Sequence, residues 1–284
     1  MECPDALRKA AIYRRLALFI GSGISATATN KANQHPPTWS ELLHELSSLI
    51  QDDTKHDIES LINNNQLLQA AELLRYKIRK ECKSHTFNER LKILVNGPKN
   101  DPFTPSEWHD TIDQLNPQII ITTNYDNLLE GNSRETYAVN TFSTQTIDNH
   151  LRIGTTTILK IHGDANDAFN GNEDLILSIS DYARARQKGQ LAFDIIKAIF
   201  LTHTTLFLGY SMNDPDLQII LEDLFFDRDV PSPHFLLTKS AEDYEIEYFK
   251  DCYGIKVLRC DDYGLSLFKS LVEESQASRS SAMI

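Results

Sequence analysis

A chain of 284 residues is long enough to bury the core of one large α/β domain, or of a core domain that carries a smaller insertion. Its composition, 41% hydrophobic and 24% charged, is typical of a globular protein. The sequence shows neither an apolar run that could cross a bilayer nor a basic-plus-apolar leader, so we expect a cytoplasmic protein without a membrane partner. The formal net charge of -12 argues against direct nucleic-acid binding, which depends on Lys and Arg side chains that neutralise phosphates.

The first part of the chain predicts a helix, a strand, a glycine turn and a helical block. Residues 2–15 are typical of an amphipathic helix, and residues 17–20 of a buried strand. The turn at 21–26, GSGISA, fits the G-x-G-x-x-A pattern in which backbone amides cradle a pyrophosphate. A tight structural turn would show the same pattern. Apolar residues at three- and four-residue spacing then predict a helical module inserted over 39–115.

Strand-like runs return in the second part of the chain and alternate with helical stretches. They lie at 118–124, 155–163, 204–210, 234–239 and 255–259. This alternation predicts an α/β fold, a Rossmann-like and mostly parallel sheet with helices on both faces. We expect a single domain over 1–272, with its Rossmann-like core at 1–38 and 116–272 and the helical insertion between them. The polar segment 273–284 is predicted to be a flexible tail.

Candidate site residues follow the strands, because ligands of an open parallel sheet bind beyond the carboxyl ends of its strands. Four segments are unusual there: GSGIS at 21–25, TTNYD at 122–126, KIHGD at 160–164 and GYSMNDPDL at 209–217. Each also has a structural interpretation, since Asn and Asp cap helices and a lone histidine is more often structural than catalytic. A histidine at the end of a strand can nevertheless act as a general base near neutral pH.

Together and in this order, the four segments resemble the sirtuin family, whose signature runs G-A-G-I-S, T-Q-N-I-D, H-G and G-T-S. The resemblance covers about residues 12–272. Sirtuin deacylases carry a four-cysteine zinc module after the histidine, whereas residues 164–204 contain no cysteine. Their G-I-P-D-F-R stretch is replaced here by ATNKANQHPPTW at 28–39. The comparison implies no zinc ribbon and no zinc, and it favours hydrolysis over acyl transfer.

A closer resemblance is to the sirtuin-like branch of bacterial anti-phage systems. The matching segments are PTWSELL at 37–43, TTNYD at 122–126 and LGYSMNDPDL at 208–217. Members of that branch destroy NAD+ and so starve an infected cell. The resemblance implies an NAD+ glycohydrolase that acts in abortive infection and takes NAD+ as its substrate. Two alternatives stay open: an NAD-dependent protein deacylase, and a catalytically silent nucleotide-binding sensor subunit.

The same resemblance implies roles for individual residues. Asn124 would orient water and the nicotinamide-side ribose, Asp126 would bind the nicotinamide carboxamide, and His162 would be the base. Tyr125 and Tyr210 are interpreted as packing residues, since large aromatic side chains bury well. No residue is expected to bind a metal. The residues expected to bind the dinucleotide are Gly21, Ser22, Gly23, Ser25, Thr123, Gly209 and Ser211.

Control of the activity is expected to come from assembly. An unrestrained NADase would kill its host, and the predicted sheet and insertion leave little chain for a sensor. We therefore expect a homo-oligomer or a separately encoded partner. By resemblance, the first candidate for that partner is a HerA-type ATPase or helicase, and the alternatives are a short Argonaute or another infection sensor.

Overall fold

The computed structural model describes residues 3–132, 137–171, 174–226 and 233–281. Within these ranges one seven-stranded sheet is formed by β1 (Leu16–Ile20), β2 (Ile119–Thr122), β3 (Ala138–Thr141), β4 (Thr157–Lys160), β5 (Thr204–Leu208), β6 (His234–Thr238) and β7 (Ile255–Arg259). The strand order is β3-β4-β2-β1-β5-β6-β7, and every described pair is parallel. The predicted Rossmann-like α/β sheet is confirmed.

Helices cover both faces of this sheet. They are α1 (Asp5–Ile12), α2 (Ser22–Ser25), α3 (Trp39–Ser47), α4 (Thr54–Asn63), α5 (Leu67–Lys80), α6 (Ser84–Asn96), α7 (Glu107–Leu115), α8 (Leu128–Asn132), α9 (Ile147–Arg152), α10 (Ala165–Phe169), α11 (Ile179–Lys188), α12 (Gln190–Thr202), α13 (Pro215–Phe225), α14 (Asp243–Tyr253) and α15 (Leu265–Ser281). Successive side chains of a strand point to opposite faces. Phe19 of β1 therefore packs with α12 and α13, while Leu18 packs with α1, α7 and α15.

The sequence prediction missed β3. This four-residue strand lies at the edge of the sheet, and Val139 is 40% exposed. An edge strand that is half exposed has no continuous apolar run, which is the pattern that identifies the buried strands.

Helices α3 to α6 form a module with its own core, which includes Leu43, Leu74 and Phe87. Helix α7 does not belong to it, because Trp108 and Ile112 pack against the sheet. The module observed in the structure is therefore shorter than the predicted insertion at 39–115. Helical periodicity alone cannot show which core a helix packs against.

The predicted flexible tail is wrong for residues 273–281, which continue α15. Ser275 is buried, and its hydroxyl donates a hydrogen bond to the carbonyl of Ala11. The Arg279 guanidinium donates to the carbonyls of Ala11 and Leu115, near the carboxyl ends of α1 and α7. Carbonyls in the last turn of a helix lack partners within that helix, and Arg279 supplies one further donor to each of these two. Residues 282–284 lie outside the described ranges.

The strand register brings four strand ends to the same level. The residues that pair there, from β4 across β2 and β1 to β5, are Lys160, Thr122, Ile20 and Leu208. This row lies at the carboxyl edge, where β1 is flanked by β2 on one side and β5 on the other, as at the ligand-binding crevice of open α/β sheets. In the part of the chain that the structure describes, each helix is too short or too polar to cross a lipid bilayer.

Candidate active site

A cavity of about 510 Å³ lies beyond this row of strand ends. The second residue after each of the four strands lines it: Ser22, Asn124, His162 and Tyr210. The opposite wall comes from the helical module and the loop before it, including Pro37, Trp39, Leu42, Leu68 and Val95. A concave, partly apolar cavity with convergent polar groups is the usual form of a small-molecule site.

Most of the site residues predicted from the sequence meet in this cavity. Those that line it are Ser22, Ser25, Thr123, Asn124, Asp126, His162 and Ser211. The three predicted glycines, Gly21, Gly23 and Gly209, are not part of the lining but lie behind it.

These glycines join two turns backbone to backbone. The Gly21 amide donates to the Leu208 carbonyl and the Gly23 amide to the Gly209 carbonyl, each at 2.9 Å. A Cβ on Gly21 would lie 2.3 Å from the Gly209 oxygen, and a Cβ on Gly209, whose φ is +57°, would lie 2.5 Å from the Ile24 nitrogen. The glycines are thus needed for the approach of the turns to each other. The Gly21 and Gly23 amides are therefore already bonded to carbonyls of the second turn, and the binding of a pyrophosphate at these glycines stays a prediction.

Asn124 begins a buried chain of hydrogen bonds. Its Nδ2 donates to the Gly21 carbonyl at 3.0 Å and to the Ser25 hydroxyl at 2.8 Å, and that hydroxyl donates to Asp126 Oδ2 at 2.6 Å. Asp126 Oδ1 accepts the Leu128 amide at 3.1 Å. The side-chain nitrogen of Asn124 is therefore already hydrogen-bonded to the protein. Its side-chain oxygen, Oδ1, is the group that can bind a ligand. Because both Asp126 oxygens hold protein donors, a contact with a carboxamide would be additional to these bonds.

Lys160 is hydrogen-bonded to the loop that follows β2 and carries Asn124 and Asp126. The sequence analysis did not identify it as a site residue. Its ammonium is buried and donates to the Asp126 carbonyl, to Glu130 and to Asp164. Burial opposes the charge, but the carboxylates of Glu130, Asp164 and Asp126 together outweigh it and raise the pKa of Lys160 above its ordinary value. A permanent cation at the end of β4 fixes the loop that presents Asn124.

His162 has a carboxylate partner. Its Nε2 lies 2.7 Å from Asp214 Oδ2, and the Tyr182 hydroxyl donates to the same oxygen at 2.7 Å. The other oxygen, Oδ1, accepts the Leu217 amide and caps α13, the structural role that the sequence analysis gave as an alternative for Asn and Asp residues in these segments. Burial alone would raise the pKa of Asp214, but the neighbouring His162 and the three hydrogen bonds hold it below its ordinary value.

Tyr125 and Tyr210 pack as expected and also line the cavity. The Tyr125 hydroxyl donates to the Ile176 carbonyl at 2.6 Å, and its ring joins the core of the helical module. The Tyr210 ring lies 4.7 Å from that of Phe19. Burial raises the pKa of both tyrosines, so both stay neutral at physiological pH.

The charged side chains that line the cavity, over the described residues, are the acids Asp126 and Asp214; Lys and Arg are absent from its lining there. Phosphates would therefore meet neutral donors such as the hydroxyls of Ser22, Ser25 and Ser211. The same ranges contain no cluster of three His, Cys, Asp or Glu side chains placed to hold a metal ion.

Comparison with known proteins agrees with the resemblance in the sequence. The SIR2-like domain family matches residues 118–258, from β2 to β7. The chain is 27% identical over 248 residues to defense-associated sirtuin 2 of Bacillus subtilis, which covers 82% of this chain and 22% of that protein.

Two further relatives are named NAD(+) hydrolase ThsA. The protein from Enterococcus faecium is 28% identical over 231 residues, 78% of this chain and 43% of that protein. The protein from Acinetobacter baumannii (strain 532279) is 27% identical over 227 residues, 76% of this chain and 40% of that protein. The chain thus spans less than half the length of these curated relatives.

Proposed function

We propose that this chain, a member of the SIR2-like domain family, is an NAD+ glycohydrolase that releases nicotinamide and ADP-ribose. The observation that carries the proposal is that Asn124 and His162, from the ends of two paired strands, line one cavity. The names of the ThsA relatives support the same activity.

The chemistry requires water to replace nicotinamide at the anomeric carbon of the ribose. When the bond breaks, its electron pair leaves with nicotinamide, and the sugar develops oxocarbenium character, as in glycoside hydrolysis. The water then bonds to that carbon and gives up one proton. In the proposed roles, the Asn124 carbonyl oxygen accepts a hydrogen bond from the water, and His162 accepts the proton.

The finer proposal is a cytoplasmic anti-phage effector that depletes NAD+ in abortive infection. The name of the Bacillus subtilis relative supports a role in defence.

We propose control by assembly, as a homo-oligomer or with a separately encoded partner, because the cavity is already formed in the single chain. The first candidate is a HerA-type ATPase or helicase, and a short Argonaute or another infection sensor is the alternative.

The test is NAD+ consumption, with the products identified by chromatography. The wild type is compared with Asn124→Ala, His162→Ala and the control His56→Ala, whose side chain is exposed on α4 and outside the cavity. Each is assayed alone and after co-expression with its neighbouring gene product. We expect both site variants to be slower by about 100-fold or more and the control to match the wild type.

Three outcomes would contradict the proposal. Site variants as fast as the wild type would remove Asn124 and His162 from the mechanism. NAD-dependent removal of acyl groups from lysine peptides, without glycohydrolysis in any assembly, would indicate a deacylase. No turnover in either assay would indicate a nucleotide-binding sensor.

A further inference from the structure

Asp214 lies at the centre of a buried group of hydrogen-bonding side chains and backbone. Its Oδ2 receives His162 Nε2 and the Tyr182 hydroxyl, each at 2.7 Å, while its Oδ1 receives the Leu217 amide at 2.9 Å. The residue is 7% exposed. The Tyr182 hydroxyl and the Leu217 amide are donors to Asp214 whatever the tautomer of His162, and one of these bonds would be lost if the carboxylate were protonated, so Asp214 is stable as the ionised acceptor.

An ionised Asp214 determines which nitrogen of His162 carries the proton. A neutral imidazole has one N–H donor and one lone-pair acceptor. Since a carboxylate only accepts, the proton must be on Nε2, and Nδ1 keeps its lone pair. Among the hydrogen bonds of the described residues none uses Nδ1, and the ring lines the cavity.

We propose that Asp214 is a positioning residue that holds His162 in the Nε2–H tautomer, so that Nδ1 is the atom that takes the proton from substrate or water. The inference rests on the proposed function, in which His162 acts as the base. After proton transfer, Nδ1 carries the new N–H bond, and the Asp214 carboxylate stabilises the imidazolium across Nε2–H.

Tyr182 fixes the carboxylate in this position. Its hydroxyl is 2.7 Å from Asp214 Oδ2 and 3.4 Å from His162 Nε2, and its ring meets the imidazole edge-on at 5.5 Å. Burial raises the pKa of Tyr182, so the hydroxyl remains a neutral donor. It acts on the histidine through Asp214.

The neighbouring helix position offers a matched control. Asp216 is also a buried carboxylate in the first turn of α13, but it pairs with Arg186 at 3.3 Å. An Asp216→Asn variant removes the same charge from the same turn and leaves the bonds of Asp214 in place.

The first experiment measures the tautomer. Asparagine is as good a helix cap as aspartate, so Asp214→Asn keeps the bond to the Leu217 amide. Its side-chain NH2 then faces Nε2, which must become the acceptor. ¹⁵N chemical shifts of the imidazoles, with His162 assigned by its loss in His162→Gln, report the protonated nitrogen among the nine histidines.

We expect Nε2–H in the wild type and in Asp216→Asn, and Nδ1–H in Asp214→Asn. An Nδ1–H tautomer in the wild type would overturn the proposal. A tautomer that does not change in Asp214→Asn would do the same.

The second experiment separates kcat from KM for NAD+. We expect Asp214→Asn to lower kcat by about 100-fold or more with KM changed less than about threefold, and Tyr182→Phe to lower kcat by about tenfold. A rise in KM alone, or an equal loss in Asp216→Asn, would overturn the positioning role. If the wild type hydrolyses no NAD+, the proposed function fails, while the chemical shifts still decide the tautomer.

Discussion

The two walls of the cavity are built differently. On the sheet wall, polar side chains such as Asn124 and His162 follow strand ends whose level is set by the register, and each is hydrogen-bonded to the protein. The wall from the helical module presents mainly apolar side chains, such as Leu42, Leu68 and Val95. The residues proposed for the chemistry are therefore held by the backbone of the core, whereas the module gives the cavity its shape.

The attachment of the two walls differs as well. The turns of the sheet wall meet through the backbone contacts of Gly21, Gly23 and Gly209. The module is attached to α11 through charge: the buried Asp181 pairs with Arg75 at 3.5 Å and with Arg79 at 2.9 Å. Substitutions that add atoms at the glycines should therefore destabilise the sheet wall most. Substitutions that remove charge should destabilise the attachment of the module most.

The largest effect is expected from Gly209→Ala. The new Cβ would collide with the Ile24 backbone at a positive φ, so we expect the free energy of unfolding to fall by about 4 kcal/mol in urea denaturation. Gly131→Ala is the control, because a Cβ on Gly131 in α8 would have nothing within 4 Å. Equal stability of the two variants would show that the contact between the turns is not tight.

Asp181→Asn tests the charged attachment. The change removes the buried carboxylate that pairs with Arg75 and Arg79, and we expect a loss of about 3 kcal/mol at neutral pH. The control is Asp148→Asn, which removes an exposed i,i+4 pair with Arg152 and should cost less than about 0.5 kcal/mol. A loss as small as that of the control would mean that charge does not attach the module.

The pH dependence of the same variant provides a second measurement. Burial would raise the pKa of Asp181, but Arg75, Arg184, Ser178 and Arg79 together hold it below its ordinary value. A depressed folded-state pKa stabilises the protein above the unfolded pKa, and this stability is lost as pH falls through the folded pKa. Between about pH 5 and pH 3, the wild type should therefore lose more stability than Asp181→Asn. Parallel losses would assign the acid sensitivity to other carboxyls.

The smallest effect is expected from Leu68→Ala on the module wall. Removing apolar contact that substrate and transition state share should raise KM for NAD+ about fivefold, or about 1 kcal/mol, with little change in kcat. Leu61→Ala, in the module but outside the cavity, is the control. A fall in kcat at constant KM would show that this wall takes part in the chemistry after all.

The sequence predicted the meeting of Asn124 and His162, because the carboxyl ends of parallel strands share one edge. It could not predict the pairing of His162 with Asp214, which lies 52 residues away and carries the pattern of an ordinary helix cap. For a related reason, the sequence could not show that the glycine turn contacts the turn at Gly209. A G-x-G pattern indicates close approach, but whether the approaching group is a phosphate or another turn depends on the position of Gly209 in space.

The carboxyl end of the chain was also misjudged. Polar, small residues predict fraying, yet Arg279 is bound by the carbonyls of Ala11 and Leu115. These acceptors are distant in sequence, so the local composition of residues 273–281 cannot predict the hydrogen bonds to them. The same holds for α7, whose periodicity predicts a helix but not the sheet core against which Trp108 packs.

The contact between the glycine turns has a consequence for synthesis on the ribosome. The first turn emerges early, but its partner around Gly209 follows only after most of the sheet has been translated, and Asp214 later still. A growing chain therefore has no complete cavity until β5 and the start of α13 have emerged and docked. Chains that end before the N-cap of α13 therefore lack Asp214 and part of the wall of the proposed NAD+ site.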